Sequence, residues 1–156
     1  MTAGGDPEAI RQHARRLRAT AEEVARTGDR VRAGSGVEWV GVAADRYRER
    51  LAEHAQRVAA ARDELLGTAA ALERLADELE ARQAAIRRAM QFVEDRLDDA
   101  RRTVGRLGDL ADDVLSGAER AARDAARGVL GTVAGGLPTP GSPDWSSVAD
   151  RIGRIG

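Results

Sequence analysis

Two histidines, His13 and His54, are the only imidazoles in the 156-residue chain, and there is no cysteine. Thiolate metal sites, disulfides and cysteine nucleophiles are therefore excluded. A di-metal helical site wants Glu-x-x-His on its helices, but the residues three before the histidines are Ile10 and Leu51. In an antiparallel hairpin closing near residue 38, position 13 faces about position 63. That leaves His54 roughly 14 Å along the helix, too far to share an ion. The acidic pairs Glu22-Glu23, Asp98-Asp99 and Asp112-Asp113 read as solvated helix faces, and Ser35 and Ser116 have no evident histidine partner. All 25 basic residues are arginine, so a phosphate loop of the G-x-x-x-x-G-K-[ST] type cannot be written. The glycine-rich stretch 131–136 lacks the strand such a loop needs. The chemistry these residues could do is thus not catalysis: no enzyme, metal or cofactor is expected.

Binding to other macromolecules is what remains. The formal charge is −1, and acids and bases are nearly balanced along the whole chain. Arg87-Arg88 and Arg101-Arg102 have no interleaved aromatics on which bases could stack, so no nucleic acid is expected. The longest uncharged run, residues 128–143, is shorter than the roughly 20 apolar residues of a membrane span and is broken by glycine and proline. No membrane insertion is expected, and the first ten residues do not form an ordinary signal peptide. Aromatics make up 3% of residues and charges 33%. That composition favours long helices over sheets.

The elements follow from periodicity. Asp6-Pro7-Glu8 reads as a helix start, with Asp6 as N-cap, Pro7 at the first position and Glu8 at the positive end of the dipole. Ile10, Ala14, Leu17, Ala21, Val24, Gly28 and Val31 then repeat at 4-3 spacing, and Gly34-Ser35-Gly36 ends the helix. Helix one is expected over 7–33, about 40 Å. A second stripe runs through Tyr47, Leu51, Ala55, Val58, Leu65, Ala69, Leu72, Ala76, Leu79, Ile86, Met90, Val93, Leu97 and Val104. Charged pairs in the favourable order, Glu22–Arg26, Glu78–Arg82, Asp98–Arg102 and Glu119–Arg123, support the helices by a few tenths of a kcal/mol each. Gly105 and Gly108 weaken the helix, and Asp109 is placed to cap a third helix from Leu110. Residues 131–143 read as a flexible linker. It leads to a short amphipathic turn with Trp145, Val148 and Ile152 on one side. By length, helix one covers residues 42–70, so Leu72, Leu79, Ile86, Val93 and Leu97 require a helix folding back near Gly105–Gly108, or a second chain.

The link between the two helices is Trp39-Val40-Gly41, followed by Ala43, Ala44, Tyr47 and Arg48, and Gly5-Asp6-Pro7 opens the chain's first helix. Glycine supplies the positive φ of a tight turn, and one large aromatic fills the open end of an alanine-rich hairpin. This arrangement resembles the WXG-motif helical hairpins of type VII secretion systems, of the actinobacterial type, over about residues 6–90. The resemblance implies a hairpin that pairs with a second one into a four-helix bundle, acting as a secreted substrate, a co-secreted partner or an adaptor for an effector. It implies Trp39 and Gly41 as the turn motif, with Tyr47, Leu51, Val58, Leu65, Leu72 and Leu79 as the partner-binding face. It also implies export without a classical signal peptide, from a cytoplasmic pool. One departure is plain: the family's Y-x-x-x-D/E signal is unmatched, since the only tyrosine is Tyr47 and position 51 is leucine.

The expected molecule is all-α. An antiparallel helical hairpin with a Trp-x-Gly turn spans 1–104 (helices 7–33 and 42–104), a third helix 105–130, and a Gly/Pro-rich linker with a short amphipathic tail 131–156. Its partner is a protein, through a homodimer or a heterodimer with another helical hairpin or a secreted effector. The alternative is a cytoplasmic structural coiled coil unrelated to secretion.

Overall fold

The computed structural model describes residues 5–34, 38 and 40–155. Residues 35–37 and Trp39 lie outside them. The described residues form four helices: α1 (Pro7–Ala33), α2 (Val42–Leu107), α3 (Gly117–Thr132) and α4 (Asp144–Gly153). The fold is all-α, a helical hairpin with a helical extension. The chain divides into two compact units, Asp6–Leu79 and a second from Glu80 onward.

In the first unit, α1 starts where its sequence dictates. The Asp6 carboxylate accepts the Glu8 N–H at 2.9 Å, Pro7 occupies the first turn, and Arg30 and Arg32 sit in the last. What α1 buries is small: Ala14, Ala21 and Gly28, one per heptad. On the facing stretch of α2 the buried residues are Ala44, Ala69 and Ala76. Small side chains let two helices approach to the short end of the usual 8–10 Å range. At Gly28 an added Cβ would lie 3.1 Å from Val58 Cγ1. The bulkier stripe residues flank this seam half-buried.

Cross-helix ion pairs fix the register. Arg11 meets Asp77 at 2.8 Å, and Arg18 grips Glu73 with two bonds of 3.0 and 2.5 Å. Residue 28 meets residue 58. The helix α1 therefore lies against α2 as far as residue 77, not 70. Leu72 lies within its reach, contrary to the length argument, because the contacts between the two helices set the register and helix length alone does not. Position 13 falls opposite about 75, which leaves His54 roughly 30 Å away along the helix. Both histidines are exposed.

In the second unit, α2 passes through Gly105 without a break and ends at Leu107. At the next residue, Gly108, an added Cβ would collide with the Val104 carbonyl oxygen, so this exit from the helix requires glycine. The third helix begins at Gly117, not Leu110. Ser116 and Glu119 form a reciprocal capping box: Ser116 Oγ accepts the Glu119 N–H, and the Glu119 carboxylate accepts the Ser116 N–H at 2.8 Å. This S-x-x-E signature was readable at 116–119 and outcompetes Asp109. Two expected charge pairs re-sort. Asp98 bonds Arg101 and Asp99 bonds Arg102, each one residue closer than the i, i+4 spacing. Arg123 leaves Glu119 to the cap and bonds Asp112 at 2.6 Å.

The core of this unit is large-residue packing. Ile86, Val93, Leu97 and Ala100 of α2 cluster with Ala126 and Val129 of α3 and with Trp145, Val148 and Ile152 of α4. The three tail residues expected on one side are the three that α4 buries. The segment expected as a flexible tail thus ends in a packed helix. Trp145 Nε1 donates to the Thr139 carbonyl at 3.0 Å, which satisfies its one polar group inside the cluster.

Candidate partner-binding face

The site implied by the stripe is a surface, and α2 positions it. At its start Gly41 has φ +115°, the left-handed region open to glycine. Its carbonyl accepts the N–H groups of Ala44 and Asp45 at 2.9 and 3.1 Å, which launches the helix. The other half of the turn motif, Trp39, lies outside the described residues. Beside Gly41, Val40 is 94% exposed and Val42 70%. Tyr47 follows at 44%, and Arg48 bonds Asp45 at 2.9 Å.

Leu51, Val58, Leu65, Leu72 and Leu79 are all half-buried. Val58 packs toward Gly28 of α1. Leu51 lies in a shallow concavity with Arg32, Arg48, Ala52, Ala55 and Gln56. Leu75, outside the expected set, is 51% exposed. Helical spacing places Leu65, Leu72 and Leu79 along one line a heptad apart, and Leu51 and Val58 extend the same repeat. The seam with α1 takes the alanines and leaves part of each leucine uncovered. Such a row of partly uncovered leucines on one helix face can hold another helix. Among the described residues no group of three or more His, Asp or Glu side chains is placed to hold a metal ion. No helix of the described residues is long and apolar enough to cross a membrane.

Charge frames the seam. The Arg18 guanidinium, hydrogen-bonded to Glu73, holds that carboxyl below its ordinary value. Glu73 and Asp77 are each met by an arginine of α1, so this edge of the hairpin is neutralised by its own partner helix.

Residues 3–104 match the family described as "Putative T7SS secretion signal domain". No curated protein and no solved structure matches the chain. The matched region takes in α1 and nearly all of α2, well over half of the chain and all of the candidate face. The chain therefore belongs to this family of type VII secretion signal domains.

Proposed function

We propose that the chain is a non-enzymatic type VII secretion protein whose hairpin pairs with a second helical hairpin, either a copy of itself or a hairpin carried by a secreted effector. The observation that carries this reading is the division of labour inside Asp6–Leu79. The hairpin's own seam is alanine and glycine, while the leucine heptads of the same matched domain stay half-exposed. Two helices with so thin a seam bury little apolar area, and the uncovered leucines would add it on pairing. Trp39 and Gly41 would form the turn of the WXG type, with Trp39 as an aromatic anchor for the partner or the export machinery. The chain would leave the cell by the type VII route without a classical signal peptide. Since no Y-x-x-x-D/E is present, the paired chain would supply that signal.

The test is export from a host with and without a working type VII secretion ATPase, with a cytoplasmic marker to exclude lysis. Appearance in the medium only with the ATPase is expected. Retention under both conditions would overturn direct secretion and favour a structural helical bundle. In the same assay Trp39→Ala is expected to lose partner capture while keeping its helical content. If capture is unchanged, Trp39 is not the anchor.

A further inference from the structure

The family match stops at residue 104, yet the best-buried large apolar residues within it depend on helices beyond that point. Val93 is 0% exposed and Leu97 2%, and both are packed in the cluster formed with α3 and α4. Those two helices lie outside the signal domain. They cover the stretch of α2 that carries Ile86, Met90, Val93, Leu97 and Ala100 at 4-3 spacing, the seam a second long helix would use.

The cover is lightly fastened. Its helices have 16 and 10 residues, near or below the length at which a helix is stable alone. The connection from α2 is held by Arg123, which donates to the Leu110 carbonyl at 3.3 Å and to Asp112 at 2.6 Å, and by Arg127 to the Gly108 carbonyl at 3.1 Å. Arg123 is buried, and its Nε makes no hydrogen bond but lies 3.6 Å from the exposed Asp124 carboxylate. Asp112 stands largely in solvent.

The edge of the covered stripe is self-complementary in charge. Exposed Arg87 and Glu94 lie one heptad apart on the same flank, about equally far from residues 90 and 91. An antiparallel two-fold contact centred there would set Arg87 of one copy against Glu94 of the other, twice. We propose that α3 and α4 stand in for a partner helix on residues 86–104, and that their release opens this stretch to a second copy of the chain. The inference is separate from pairing through Asp6–Leu79: a monomeric parent would overturn that pairing, while this one is read from the change on release.

The experiment uses the full chain carrying Val148→Asp with Ile152→Asp, which puts charges into the buried face of α4. Light scattering is expected to show self-association at least tenfold tighter than the parent's, with hydrogen exchange still protected over residues 6–79. Unchanged association with protection lost over 86–104 overturns the proposal. Protection lost over 6–79 as well also overturns it, since the cover would then be part of one indivisible core. A second variant runs the other way. Gly131→Ala on α3 meets open space and favours the helix, so exchange over 86–104 is expected to slow about fivefold. Exchange that does not slow, or stronger self-association, overturns the proposal.

Discussion

At the scale of single residues, glycine positions separate two physical situations. Gly28 is buried in the seam, with Val58 Cγ1 3.1 Å from where a Cβ would be. Gly28→Leu is expected to cost about 2 kcal/mol by overpacking, read as a lower urea midpoint at unchanged slope. Gly67, in the same unit, has nothing within reach of an added Cβ. Gly67→Ala is expected to gain roughly 0.5–1 kcal/mol through helix propensity. The pair checks the alanine seam, since a loosely packed hairpin would tolerate both. Acid sensitivity also lives here. Hydrogen bonds from Arg18, Ser116 and Arg123 hold Glu73, Glu119 and Asp112 below their ordinary values. A depressed carboxylate contributes stability above its unfolded value and loses it as pH falls through the folded one. The urea midpoint is therefore expected to be flat from pH 7 to about 5 and to fall below the ordinary values near 4.5 and 3.8. Glu73→Gln should lessen that fall. An equal fall in the variant would show that the acid response comes from elsewhere.

At the scale of elements, α3 and α4 depend on a cap and an anchor. Ser116→Ala removes the capping box and is expected to cost about 1 kcal/mol, with the loss of protection confined to the second unit. Trp145 is 4% exposed and central to the cluster. Trp145→Ala is expected to cost about 3–5 kcal/mol, read from hydrogen exchange as loss of protection in α4 and α3 while α1 keeps its own. If α1 frays equally, the two units are not independent. Most boundaries of α1 and α2 were legible because their signals are local: Asp6-Pro7 at one end, Gly41 at the start of α2, and a 4-3 repeat between. The start of α3 was less legible. Asp109 offered a cap, but the reciprocal bonds of Ser116 and Glu119 satisfy two N-terminal groups at once.

At the scale of the whole molecule, the question is which apolar surface is shared with another chain. Leu65→Asp with Leu72→Asp places charges on half-buried positions of the leucine heptads. The double variant is expected to halve the mass of a self-paired parent, or to lose an effector hairpin, while circular dichroism keeps its helical signal. Unchanged pairing would remove these leucines from the interface.

The sequence by itself determined that the chain is helical, where α1 and α2 begin, and which three residues of α4 share a side. These features arise from caps, glycine and periodicity, which act within one or two turns. It also excluded a thiolate chemistry outright, since cysteine is absent. The tertiary structure alone decided that residue 11 meets 77 and residue 18 meets 73, so that α1 reaches further along α2 than length allowed. It alone decided that Arg123 turns from Glu119 to Asp112, and that Val93 and Leu97 are covered by the chain's own later helices, while Leu65 and Leu72 stay half-exposed within their own unit. The reason is the same in each case. Register and burial are settled by contacts between residues far apart in the chain, above all the close packing of small side chains, which no signal within one or two turns specifies.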